Sequence, residues 1–232
     1  MEIHGKRVLL LGGAGLVGTA VCRQMLSYGP EELIVSSLKE NEAMQAQREL
    51  SRAFPETQIT PVWGNMFVRE EHKDLHPSSI IENPELREQL ISDNLDDLTD
   101  AILKNSFLYQ IISRHKPDIV VDCVNSATAV AYQDIFLANY KVRESMKELR
   151  AGDGSQEKMF TEVEKLLATL YVPQLIRHVQ ILNESMRQAK TTIYLKVGTS
   201  GTGGLGLNIP YTHSEEKPSR MLLSKSSVAG AH

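Results

Sequence analysis

Lys6-Arg7-Val8-Leu9-Leu10-Leu11-Gly12-Gly13-Ala14-Gly15-Leu16-Val17-Gly18-Thr19-Ala20-Val21-Cys22-Arg23-Gln24-Met25-Leu26 is the stretch that decides the fold. The run ending at Leu11 reads as a short buried strand. Glycines follow at 12, 15 and 18, and a helical pattern takes over from Thr19 to Leu26. A buried strand, a glycine turn and a helix N-terminus in that order make a phosphate cradle. Gly12 permits the tight turn, and Gly15 lets backbone approach a pyrophosphate. Gly18 lets the helix pack close to the strand. Leu16 and Val17 lie in the turn, and the first free N–H groups of the helix that follows point at the anion. The spacing alone is a weak signal; its strand-to-helix setting gives it weight.

Outward from that turn, strands and helices alternate. Glu32 to Ser37 reads as a second strand, Gln58 to Gly64 as a third, Ile119 to Val124 as a fourth and Lys190 to Val197 as a fifth. Pro61 places the third strand at a sheet edge. Helical patterns run over 41–53, 98–113, 136–149, 157–170 and 174–188. Tyr171-Val172-Pro173 marks a kink or boundary, and Ala151 to Ser155 marks a break. This alternation predicts an α/β, Rossmann-type, doubly wound parallel sheet with helices on both faces. The stretch 67–100 is rich in Asp and Glu and too long for a loop. It reads as an acidic helical insertion on the surface, started near Asn83-Pro84. The chain as a whole, 1–232, reads as one dinucleotide-binding domain.

The tip of the second strand, Ser36-Ser37-Leu38-Lys39, carries no acid until Glu40. An acid there would bond a 2′-hydroxyl and favour NAD, whereas the hydroxyl pair Ser36-Ser37 with Lys39 could hold a 2′-phosphate, so NAD and NADP both stay open. Gly64-Asn65-Met66 follows the third strand, where adenine edges are read. Asn125-Ser126-Ala127 follows the fourth, where small residues let a cofactor approach. Gly198 to Gly206 is a hydroxyl-rich glycine loop after the fifth, and no Gly-Lys-Ser/Thr makes it a P-loop. His72 and His76 have the spacing of zinc ligands on a helix, but no third ligand accompanies them, so no metal site is expected.

Composition narrows the class. With 41% hydrophobic and 23% charged residues the chain is of ordinary globular make-up. A net charge of -4 and the lack of a basic stripe argue against nucleic acid as a partner. No apolar run is long enough to span a membrane, and the run at Val8 is too short for a signal peptide. Cys22 and Cys123 read as small buried apolar residues of a reducing compartment, so the expected location is the cytoplasm. A small-molecule substrate is the expected partner, with room for a homodimer.

These motifs resemble the short-chain dehydrogenase/reductase superfamily, in particular its extended branch of NAD(P)-dependent sugar epimerases and dehydratases. Gly12, Gly15 and Gly18 match the extended-type spacing. Gly64-Asn65 resembles the Gly-Asp pair after the third strand, with Asn65 in place of the acid. Asn125-Ser126-Ala127 resembles the small-residue motif after the fourth strand. Gly198-Thr199-Ser200 resembles the Ser-Ser motif after the fifth. The resemblance implies hydride exchange between a nicotinamide and a hydroxyl or carbonyl substrate. It makes Ser200 the hydroxyl that holds the substrate oxygen and Lys225 the ligand of the nicotinamide ribose. The family's Tyr-x-x-x-Lys motif falls on Met221-Leu222-Leu223-Ser224-Lys225, and methionine transfers no proton. Tyr211, or else His213, is the stand-in acid/base. A non-catalytic NAD(P) sensor is the second reading, and a scaffold acting through Glu70 to Asp100 is a third. The C-terminal substrate region of extended members is absent, so the chain reads as the N-terminal portion of something longer.

Overall fold

The computed structural model describes residues 2–124 and 135–197. Five strands pair in parallel: β1 (Arg7–Leu11), β2 (Glu32–Ser37), β3 (Gln58–Trp63), β4 (Ile119–Asp122) and β5 (Ile193–Lys196). Their order is β3-β2-β1-β4-β5. The chain steps outward from β1 on one side, then returns to β1 and steps outward on the other. This is the order of a doubly wound, Rossmann-type α/β fold, and the place of reversal lies between β1 and β4. Register sets Leu9 beside Ile34 on one side and Val120 on the other. Val8 to Leu11, Leu33 to Val35, and Val120 with Val121 are all fully buried. Strands covered on both faces have no polar side to present, which is why these runs are apolar without alternation. Pro61 pairs in register with Val35 on β3, an outermost strand, where a missing N–H breaks no ladder.

Helix α1 (Leu16–Leu26) buries Gly18, Cys22 and Leu26, one residue per turn on one face. It begins three residues before the helical pattern read from sequence, because the Thr19 N–H already donates to Gly15 O at 2.8 Å. Helix α2 (Glu40–Ala53) buries Ala43, Ala46 and Leu50 in the same manner. Cys22, Leu26, Ala46 and Leu50 join Val8, Leu10, Leu33, Val35 and Val121 in one cluster.

The chain divides into two compact units. Of the described residues, 2–64, 115–124 and 189–197 form the first, and 65–114 with 135–188 form the second. The second is helical: a 3-10 turn (Glu70–His72), then α3 (Pro77–Glu82), α4 (Pro84–Leu95), α5 (Asp100–Asn105), α6 (Phe107–His115), α7 (Ile135–Ala151), α8 (Gln156–Ala168) and α9 (Tyr171–Ala189). The acidic segment read as a surface insertion over 67–100 is thus part of a larger helical unit that also takes in most of α6 to α9. Asn83 caps α4, its side-chain oxygen accepting from the N–H groups of Glu85 and Leu86, with Pro84 in the first turn. The single helix expected over 98–113 is broken at Ser106. There the backbone turns extended and bridges to Arg69, while the Phe107 N–H donates to Val68 O at 3.0 Å. At Gly152 (φ +86°) the chain leaves α7, where a side chain would be strained. Among the described residues no helix is long and apolar enough to cross a membrane.

Candidate dinucleotide site

The glycine turn hangs from β2. The Gly12 N–H donates to Ser36 Oγ at 3.1 Å, and the Gly13 N–H to Ser36 O at 2.8 Å. Ser36 is 1% exposed, a polar residue placed inside an apolar strand to hold the turn. Gly12 has φ +72°, in the left-handed region that glycine enters without strain.

The motif's later glycines divide their work. A Cβ on Gly18 would lie 2.1 Å from Gly12 O, inside any possible contact, so close packing of α1 demands glycine there. A Cβ on Gly15 would meet only Gly12 O, at an ordinary 3.4 Å, and the backbone at φ -71°, ψ 169° suits any residue. Among the described residues nothing requires glycine at 15. Gly15 is also the N-cap of α1 and makes no side-chain cap. Serine, threonine, aspartate or asparagine would ordinarily fill that position and occupy the first N–H groups. The N–H groups of Leu16, Val17 and Gly18 precede the first intrahelical bond and receive no such cap. Leu16 is 93% exposed. The arrangement can accept an anion at the positive end of the helix.

Ser37 is buried at the tip of β2, and its hydroxyl donates to Glu42 Oε2 at 2.6 Å. Glu42 lies in the first turn of α2, beyond the strand tip where an acid was sought in the sequence. Lys39, exposed, is the N-cap residue of that helix. Asn65 and Met66 begin the helical unit, both buried. There the Asn65 side-chain oxygen accepts from the Phe67 N–H at 3.0 Å, and its own N–H donates to Lys73 O.

The carboxyl end of β4 holds a cluster that sequence reading missed. Asp122, 2% exposed, accepts from Tyr194 Oη at 3.0 Å and from the Val124 N–H at 2.8 Å, and pairs with Lys196 at 2.9 Å. Lys196 also donates to Val124 O at 2.7 Å. In the sequence Asp122 is one acid in an apolar strand; only the pairing of β4 with β5 brings Tyr194 and Lys196 to it. Burial, then the Asp122 charge, raises the Tyr194 hydroxyl above its ordinary pKa, so this tyrosine keeps its proton. The cluster braces the strand ends. Cys22 donates to Gly13 O at 3.7 Å, and burial pushes its thiol up to about 12, the inert small residue expected. His76 caps α3 by accepting from the Ser78 N–H, and His72 bonds Gln89.

Gly12 and Gly15 thus form the turn and Leu16, Val17 and Gly18 the helix start beside it, with Ser37 ending the strand that holds it and Lys39 lying just beyond. Asn125, Ser126, Ala127, Ser200, Tyr211, His213, Met221 and Lys225 lie outside the described residues.

Residues 8–76 match the model of a family described as polysaccharide biosynthesis protein. No curated protein matches. Among solved structures, Pen from Bacillus thuringiensis is 16% identical at a TM-score of 0.35, the alignment covering 86% of this chain and 52% of that one. An A-type ketoreductase from a modular polyketide synthase is 19% identical at 0.35, over 87% and 38%. A short-chain dehydrogenase/reductase from Burkholderia phymatum, in complex with NAD, is 11% identical at 0.35, over 99% and 79%. The chain spans about half the length of the first of these and under two fifths of the second. The fold and the turn define a Rossmann-type α/β protein, on the evidence of its own sheet order.

Proposed function

We propose that the chain binds a nicotinamide dinucleotide at Gly12 to Gly18 and serves an epimerase/dehydratase-like oxidoreductase. The substrate would be a nucleotide-sugar or another hydroxyl/carbonyl compound. The observation that carries this reading is the uncapped start of α1, with a glycine at 15 that neither backbone nor packing requires. Such a position is kept small for something outside the chain, and helix N–H groups select an anion. The residues present therefore fit a pyrophosphate. When bound, the nicotinamide supplies a hydride donor or acceptor. The chain's own part is to hold the phosphates with N–H groups from the first turn of α1, and to face the adenosine half with the tip of β2. By resemblance, Ser200 holds a substrate oxygen, Lys225 a ribose, and Tyr211 or His213 moves the proton. Asn65 with Met66, and Asn125 to Ala127, would border the cofactor. A homodimer belongs to this reading, supported by exposed Val172, Ile176 and Val179 at helical spacing on α9. A cytoplasmic setting accords with two free cysteines, one of them fully buried.

The test is thermal or chemical unfolding with NAD⁺, NADH, NADP⁺ and NADPH. Ligand at a hundred times its dissociation constant stabilises the protein by about 2.7 kcal/mol. No shift with any of the four defeats the reading. The alternative is a non-catalytic NAD(P)-binding sensor, favoured by Met221 at the family's tyrosine position. Hydride exchange over a substrate panel, in wild type and Tyr211→Phe, separates the two: a sensor binds dinucleotide and exchanges no hydride.

A further inference from the structure

The adenosine end of the proposed site is built for an unphosphorylated ribose, and we infer that Glu42 selects NAD(H) over NADP(H). This rests on the dinucleotide reading above. Two adjacent serines tie two different groups to one strand end. Ser36 Oγ holds the Gly12 N–H at 3.1 Å, and Ser37 Oγ donates to Glu42 Oε2 at 2.6 Å. The glycine turn and the Glu42 carboxylate are therefore anchored by neighbouring residues of β2. The hydroxyl of Ser37, which could have donated to a 2′-phosphate, is already given to a carboxylate. The carboxylate itself occupies the first turn of α2 beside Glu40, and the backbone of Glu42 is steadied by Asn41 Oδ1 at 2.9 Å. A ribose diol donates hydrogen bonds, and a carboxylate accepts them; a 2′-phosphate carries negative charge and only accepts. Two first-turn acids and one Lys39 leave the β2 tip with a net negative charge. An acid after the second strand is the general mark of an NAD site. Here it comes from the helix, past the tip, which is why the sequence left the choice open.

The test is direct binding, by nucleotide fluorescence, of NADH and NADPH to wild type, Glu42→Ala and Glu42→Gln, with a melting curve for each variant. Wild type is expected to bind NADH at least about tenfold tighter than NADPH, the size of one hydrogen bond to a charged group. Both substitutions should reduce that ratio to about threefold or less, mainly by improving NADPH, and Glu42→Gln preserves the shape should Glu42→Ala unfold. Equal or tighter NADPH binding by wild type overturns the inference and leaves the dinucleotide reading standing. So does a ratio unchanged in a folded Glu42 variant. Absence of binding by either nucleotide to wild type defeats the dinucleotide reading itself, and the inference with it.

Discussion

In the sheet unit, β1, β2 and β4 bury Leu9, Ile34 and Val120 among other apolar side chains, and polar groups gather at the strand ends, at Ser36, Ser37 and Asp122. In the helical unit one apolar cluster gathers Val68, Ile80, Ile81, Leu90 and Ala168, and Phe107, Leu108, Ile111 and Ile112 are buried as well. Buried cations do part of the work there. Arg87, 2% exposed, donates to Glu164 of α8 at 2.7 and 3.0 Å and to Ile81 O of α3 at 2.8 Å. Arg69 holds Asp93 through a fork of bonds at 2.7 and 2.9 Å. Arg177 donates to Asp96 O, yet its Nε and Nη1 are buried without a hydrogen-bond partner among the described residues, and burial draws its pKa below the ordinary arginine value. A parallel sheet satisfies its backbone by strand pairing and can make its interior apolar. Short helices meeting at their ends leave carbonyls that a guanidinium can satisfy, and the buried charge then demands a partner. The difference teaches where each unit is fragile: the sheet unit in shape, the helical unit in charge.

The comparison breaks first at Glu164. Glu164→Ala strands the buried Arg87, and urea unfolding should show a loss of about 3 kcal/mol, toward the low side of the range because Glu164 is itself half open to water. Arg87→Met removes both charge and need, and should cost less than about 1.5 kcal/mol. Equal losses would mean that Arg87 acts by packing alone.

The glycine turn comes next. Gly18→Ala, with its Cβ driven toward Gly12 O, should lose about 1–3 kcal/mol and abolish dinucleotide binding. Gly15→Ala should leave stability within about 0.5 kcal/mol while weakening dinucleotide binding, since the added methyl meets ligand and not protein. Gly15→Ala that binds undiminished would remove the reason offered for that glycine. Smaller again, Asn83→Ala should cost about 1 kcal/mol by uncapping α4, read by the same urea midpoint.

The least effect near neutral pH belongs to Cys22. Burial pushes its folded pKa up to about 12, well above that of an ordinary thiol, so the native state keeps a proton that the unfolded chain gives up. The contribution is complete below pH 9 and is lost as the pH rises toward 12. Stability should fall across that window in wild type and fall less in Cys22→Ala. Alkylation of native protein at pH 8 should spare Cys22; ready modification would contradict its burial.

Much of the fold was legible because its signals are local. Apolar runs at Val8, Leu33 and Ile119 marked three strands, Pro61 marked an edge, and Gly152 and Pro173 marked helix boundaries. What escaped was long-range. The split at Ser106 depends on Val68 and Arg69, more than thirty positions earlier in the chain, so the periodicity of 98–113 concealed it. Ser36 looked like one of a hydroxyl pair, and its bond to Gly12 spans 24 positions. Asp122, Tyr194 and Lys196 came together through strand pairing across 72 positions.

The sequence by itself determined a parallel Rossmann-type sheet led by a glycine turn, since side-chain branching, hydrophobic runs and glycine spacing act through the nearest few residues. The tertiary structure alone decided what each polar residue does. Ser36 holds the turn, Ser37 serves Glu42, and Gly18 rather than Gly15 is required by packing. A hydrogen-bond partner is chosen by which strands and helix turns become neighbours, and no local pattern in the chain records that choice.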